Sequence, residues 1–268
     1  MKTKMAEDSI LNVPPEDMIP SLAGASHTSR RYAAQMLGIR DTDQLSSFLL
    51  ESMERGTVPM RQAVSETLGR LYGMRHSRIW DPDVKSLADL PYLDCLQMGI
   101  EDPDEITRAN SVKSLGNLRQ ESRAVELLAM AIADPSGRVR VEAARGLGQR
   151  WSTTEGRAGV PALILALADP EPQVREQAAA ALEYMYDKEA RGPLLALLED
   201  EDKGVRTRAA LALGALGASE AVPMLISVLK EFESRFASSA ATYLFQMQAE
   251  EALPVLKDLL RSYHVGVQ

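Results

Sequence analysis

The 268-residue chain has a single cysteine, Cys95, and three scattered histidines, His27, His76 and His264. One thiol excludes an internal disulfide and a cysteine-based zinc cluster. The histidines include no His-Glu-x-x-His pair, which removes the helix-borne zinc site of metalloproteases. Aromatic residues make up only 5% of the chain. No apolar run approaches the length of a membrane span. The opening stretch MKTKMAEDSILNVPPEDM has two lysines with no apolar segment behind them, so it does not read as a signal peptide. These absences give the expectation of a cytoplasmic protein with no membrane partner. Positive charge is also short: 30 Lys and Arg stand against 38 Asp and Glu, a net charge of -8. A general nucleic-acid binder needs a basic face, so no nucleic-acid partner is expected. No P-loop, GxSxG or post-strand GxGxxG motif is present.

Apolar residues make up 45% of the chain, with alanine and leucine prominent, which suits closely packed helices. Their arrangement is repetitive. VRVEAARGLG (139–148), VREQAAAALE (174–183) and VRTRAALALG (205–214) are near-copies of V-R-x-x-A-A-x-x-L-G, anchored on Arg140, Arg175 and Arg206. Weaker copies are anchored on Arg30, Arg61 and Arg108, and FASSAATYLF keeps the pattern with Ala237 in the arginine's place. The anchors lie 31, 47, 32, 35, 31 and 31 residues apart. A fixed period with two insertions is the mark of a solenoid.

Within each copy, positions such as Val139, Ala143, Ala144 and Leu147 form one stripe at helical spacing, and this helix is termed helix B. The two alanines let a neighbouring helix come close. The template glycine is expected to close helix B in the left-handed conformation. Asp102-Pro103, Asp134-Pro135 and Asp169-Pro170 are expected to start helix B, with aspartate as N-cap and proline in the first turn. Between copies lies a second apolar helix, helix A, with Pro161, Pro193, Pro223 and Pro254 near its start. The expected architecture is all-α: one solenoid over residues 1–268 of seven A/B pairs and a closing helix. Helix B is centred near 28–38, 59–69, 106–116, 138–148, 173–183, 204–214 and 235–245, with an insertion at 71–92. One hairpin cannot bury its own apolar face, so stacking must supply the core.

This pattern resembles HEAT repeats, specifically the short kind named after phycobilisome lyase subunits. The resemblance implies a right-handed α-α superhelix with helix A on the convex side and helix B on the concave side. It also implies an inter-repeat ladder of the aspartate before helix B and the arginine within it: Asp102, Arg108, Asp134, Arg140, Asp169, Arg175, Asp200 and Arg206. The first, second and seventh units have Gly24, Arg55 and Glu231 where the aspartate stands, so the ladder is expected to fray at the ends. The HEAT-like deoxyhypusine hydroxylases need His-Glu motifs for iron, and this sequence has no His-Glu dipeptide. The HEAT-like alkylpurine DNA glycosylases need a basic groove, which the acidic total opposes. The acidic run Glu199–Asp202 reads as a solvated turn containing a ladder aspartate rather than a metal site. No catalytic residue, metal or cofactor is assigned.

The positions that change between repeats are the first, second and fifth after each arginine, and these are expected to face the groove. They supply the candidate partner-binding residues Arg31, Tyr32, Lys113, Glu142, Arg145, Gln177 and Arg208. Arg138 joins Lys113 and Arg145 in a basic spot suited to an acidic or helical protein segment. The 71–92 insertion adds Arg75, His76, Arg78 and Trp80, residue types common in interface hot spots. Function reads first as a non-enzymatic protein-interaction scaffold. The alternative is a subunit of an E/F-type bilin lyase, because RRYAAQMLG (30–38) resembles the first repeat of those enzymes. An assembly chaperone is a third reading.

Overall fold

The computed structural model describes residues 15–20, 33, 42–74, 91–118, 121–149, 155–231 and 236–265. Among them every regular element is a helix. Unit 1 (residues 1–146) contains α1 (Pro15–Met18), α2 (Thr42–Arg55), α3 (Val58–Met74), α4 (Tyr92–Ile100), α5 (Glu105–Asn117) and α6 (Ser122–Ala131). The unit boundary falls inside α7 (Gly137–Gly148). Unit 2 (residues 147–268) continues with α8 (Val160–Ala166), α9 (Pro172–Glu183), α10 (Arg191–Ala196), α11 (Lys203–Ala215), α12 (Val222–Lys230), α13 (Ala237–Gln246) and α14 (Leu253–Val265). The pairs α2–α3, α4–α5, α6–α7, α8–α9, α10–α11 and α12–α13 are the A/B hairpins, and α14 is the closing helix. The pair expected at the start falls mostly outside the described residues.

Packing follows the repeat. Val139, Ala143, Ala144 and Leu147 are fully buried, as are Val205, Ala209, Ala210 and Leu213 two repeats further on. The main contacts join helices of the same or adjacent repeats. Within each unit the B helices lie closest together: α3 on α5, and α9 on α11. The A helices touch one another less, so helix B takes the inner side of the curve in each unit. Small residues permit that approach. A Cβ on Gly148 would sit 2.7 Å from Ala181 Cβ, and one on Gly69 would meet the Ser114 and Asn117 side chains at 2.8–2.9 Å.

This use of the template glycine corrects the expected one. Gly69 and Gly214 lie inside helix B and Gly148 is the last residue of its helix, and none of the three is left-handed. The left-handed residue comes three places later, at Tyr186, Gly217 and Gln248, with φ of 53°, 70° and 54°. At the last two, the amides of Ala218 and Ala249 donate to the carbonyls of Leu213 and Leu244, the six-residue closure of a Schellman cap.

The Asp-Pro pair also plays a different part. It lies two residues ahead of the cap. Asp104 and Asp202 are the true N-caps, accepting from the amides of Thr107 at 2.8 Å and Val205 at 3.0 Å. The ladder aspartates instead accept the amide two residues on. Asp102 takes that of Asp104 at 2.8 Å, and Asp200 takes that of Asp202 at 2.9 Å. This local turn leaves the rest of the carboxylate free to hold an arginine.

The 71–92 insertion is anchored at its ends. Leu71 and Tyr72 belong to α3 and are buried. The Tyr72 and Tyr92 rings meet edge to face, with centroids 5.3 Å apart. Cys95, fully buried on α4, has its thiol pushed up to about 12 by burial, with Asp94 adding to the effect.

Candidate protein-binding surface

The inner faces rest on the arginine–aspartate ladder. Arg61 Nε and Nη2 donate to Asp102 at 2.6 and 3.2 Å, and Arg108 reaches Asp134 at 2.9 and 3.1 Å. Arg175 reaches Asp200 at 2.7 and 2.9 Å. Each arginine therefore holds the aspartate of the following repeat, while its Nη1 donates to backbone carbonyls ahead of its own helix. For Arg175 those are the carbonyls of Asp169 and Pro170, at 2.7 and 3.1 Å. The planar guanidinium matches a carboxylate in two places at once. Hydrogen bonds to the aspartates hold Arg61, Arg108 and Arg175 above the usual guanidinium range, against a smaller opposing effect of burial. The same contact holds the Asp200 carboxyl below the usual carboxylate range.

The ladder extends one rung beyond the expectation at the front, since Arg61 pairs forward although its own repeat has no aspartate. At the far end, Glu231 takes Lys203 at 2.7 Å. Arg206 donates to the carbonyls of Asp200 and Glu201 at 2.6 and 2.9 Å. The acidic run 199–202 is thereby engaged: Asp200 serves the ladder and Asp202 caps α11. Among the described residues no three acidic, histidine or cysteine side chains converge as a metal site would require. No described helix is long and apolar enough to cross a membrane.

On the inner face of unit 1, Gln62 donates to Asp104 at 2.9 Å. This contact and two hydrogen bonds from Thr107 outweigh burial and lower the Asp104 carboxyl. Asn110 donates to the Gln62 carbonyl at 3.4 Å. Lys113, Arg138 and Arg145 are all exposed. Arg145 is bound to Glu142 at 2.8 and 3.0 Å, so the expected basic spot is partly neutralised. Arg31, Tyr32, Arg75, His76, Arg78 and Trp80 lie outside the described residues.

Unit 2 holds a more elaborate arrangement. Gln177 is half-buried on α9. Ala180 and Leu211, expected in the groove, are buried in the packing instead. Glu183 stands where the template has glycine, and it is 1% exposed. Its Oε1 accepts from the Tyr243 hydroxyl at 2.8 Å, a bond from α9 past α11 to α13 that joins repeats once removed. Gly214 leaves room for it, since a Cβ there would lie 2.9 Å from Tyr243 Cβ. Arg208 Nη1 sits 3.5 Å from Glu183 Oε2, and its guanidinium lies 4.4 Å from the centre of the Phe236 ring. Burial pushes the Glu183 carboxyl up against the pull of Tyr243 and Arg208, and burial together with Glu183 pushes up the Tyr243 hydroxyl. Arg208 was expected on this face; Glu183, Tyr243 and Phe236 were not. The sequence signals were a glutamate in the glycine place and a phenylalanine in the valine place. Tyr184 and Tyr186, at the end of α9, are 46% and 56% exposed, and Phe245 on α13 is 81% exposed, so this edge of the unit is rich in open aromatic surface.

An all-helical array of hairpins tied by an arginine–aspartate ladder defines an α-solenoid. The chain matches the family model for HEAT repeats over residues 92–157 and 160–244, and it belongs to that family. It is distantly similar to the short repeats of phycobilin lyase subunits. Among solved structures, Escherichia coli YibA is 20% identical, with 97% of this chain and 91% of that one covered at a TM-score of 0.64. The complex of CpcE and CpcF of phycocyanin lyase from Nostoc sp. PCC7120 gives 31% identity, 62% and 68% coverage and a TM-score of 0.51. A computationally designed armadillo repeat protein for modular peptide recognition gives 17% identity, 74% and 99% coverage and a TM-score of 0.51. No curated protein sequence matches the chain significantly.

Proposed function

We propose that the protein is a non-enzymatic scaffold of the cytoplasm that binds a segment of a partner protein along its inner helix-B faces. The reading is carried by one contrast. The framework positions repeat from hairpin to hairpin, whereas the inner face of unit 2 breaks the repeat with Glu183, Arg208, Tyr243 and Phe236. These side chains are fixed by one another before any partner arrives, so little entropy is lost on binding. Lys113 and Arg145 on the B helices of unit 1 are exposed, and Gln177 on a B helix of unit 2 is half-buried, so each unit presents polar groups there. The designed relative is described as recognising peptides and CpcE as forming a complex with CpcF, which fits a partner-binding role.

The test is a quantitative pull-down from native extract with wild type and a Lys113→Glu, Arg145→Glu, Gln177→Glu variant, each checked for folding by circular dichroism. Loss of the same co-purifying protein is the expected result. Unchanged recovery removes the inner face from this role.

The likeness to CpcE and CpcF favours a second reading, a bilin-handling subunit. Mixing the pure protein with phycocyanobilin tests it: a shifted visible absorption band supports bilin binding, and an unaltered spectrum dismisses it.

A further inference from the structure

Unit 2 also contains an open cleft of about 870 Å³ on the edge where helix B turns into the next helix A. It lies between the end of α11 with the start of α12 and the end of α13 with the turn before α14. Its size is that of a small-molecule or side-chain pocket. The repeat explains why it is there. Positions 31 residues apart are equivalent in this part of the chain, so the cleft-lining Ala215, Gly217 and Val222 correspond to Tyr184, Tyr186 and Arg191 of the preceding repeat. Three large side chains become small ones. A Cβ built on Gly217 meets nothing within 4 Å.

The carboxylate at this position is retained. In the preceding repeat Arg191 Nη2 donates to both oxygens of Glu220, at 2.8 and 3.1 Å. One period on, Glu251 occupies the Glu220 place in the cleft wall, while Val222 occupies the place of its arginine. Glu251 is the only charged residue lining the cleft among the described residues. The carboxyl ends of α11 and α13 also line it, and their dipoles add negative potential. Val222, Pro223, Ile226 and Met247 supply an apolar wall.

We propose that this cleft is a docking site for an arginine of a partner protein, its guanidinium on Glu251 and an adjacent aromatic ring over Gly217. The occupant thus takes the places that Arg191 and Tyr186 hold one repeat earlier. The fit is one of charge as well as shape: the site is acidic, the chain is acidic overall, and the ligand is a cation with an apolar neighbour. The cleft lies on the turn edge, apart from the inner-face residues above. The inference rests on the scaffold reading only in taking the occupant to be protein.

The probe is the dipeptide N-acetyl-tyrosyl-arginine amide, titrated into the full-length isotope-labelled protein and followed by amide NMR. Saturating shifts confined to residues 214–219 and 246–251 are expected, with a Kd on the order of 1 mM. The uncharged citrulline analogue should bind about fivefold more weakly, the scale of one exposed ion pair. Glu251→Gln should erase that difference. Val222→Arg, which supplies the missing arginine from within, should abolish the shifts and leave the protein folded. Absence of localised shifts, or equal binding of the arginine and citrulline peptides, overturns the proposal. Either result leaves the inner-face pull-down unaffected, so the two ideas fail separately.

Discussion

Replacing Arg175 with methionine isolates the energy of one ladder rung. Methionine keeps the apolar stem of the side chain and removes only the guanidinium. Four hydrogen bonds go with it, two to Asp200 and two to the carbonyls of Asp169 and Pro170. The Arg175 and Asp200 side chains are 10% and 7% exposed, so solvent screens the pair little. Asp200 is left buried with only the Asp202 amide as donor among the bonds described. Leaving a buried carboxylate without its cation costs about 3 kcal/mol or more. Arg206→Met is the internal control. It removes the same kind of carbonyl contacts with no carboxylate at hydrogen-bond distance among the described residues, and should cost about 1 kcal/mol. Urea unfolding gives both values from the midpoint and slope. The pH dependence follows from Asp200, whose folded carboxyl is lowered by Arg175. Its stabilising contribution is complete above the unfolded value of about 3.9 and is lost as pH falls through the folded one. The gap between wild type and Arg175→Met therefore narrows from pH 7 towards pH 3. Equal losses for the two variants, or a gap indifferent to acid, would refute the ladder as the device that ties repeats together.

Other outcomes follow from the packing. Gly214→Ala puts a methyl 2.9 Å from Tyr243 Cβ and should cost about 1–3 kcal/mol in urea unfolding. Gly192→Ala on α10 meets nothing within 4 Å and should stabilise by about 0.5–1 kcal/mol. Glu183 has a folded carboxyl raised by burial, so its ionisation lowers stability as pH rises from the unfolded value through the folded one. Glu183→Gln should accordingly gain on wild type between pH 4 and pH 8, measured as the difference in urea midpoint. Cys95, buried with its thiol pushed up to about 12, should react with a thiol reagent only at the rate of unfolding.

The repeat could be read directly because its signals are local. The stripe of Val139, Ala143, Ala144 and Leu147 fixes a buried helix face within nine residues, and the structure buries all four. The pairs Arg108–Asp134 and Arg175–Asp200 follow the family resemblance, but the local role of the aspartate, a turn ahead of the cap rather than the cap itself, was not readable. A side chain two residues ahead of a helix can serve a turn and a distant arginine together, and only the fold decides between turn and cap. The template glycine was misread for a similar reason. Its need is set by the neighbouring helix, Ala181 for Gly148 and Tyr243 for Gly214, which lies outside any local window. The clasp of Glu183 to Tyr243 spans two repeats, so neither residue's own repeat announces it. The turn-edge cleft is legible only when one repeat is laid on the next, as the loss of Tyr186 and Arg191 at Gly217 and Val222.

Site-specific photo-crosslinking in the native cell compares the two faces most directly. A crosslinking amino acid is placed at Gln177 on the inner helix α9, or at Leu165 on helix α8, a side chain 74% exposed. A discrete adduct with one partner from position 177, and none from position 165, is the predicted result. The same adduct from both positions, or from position 165 alone, contradicts recognition by the inner row of helices.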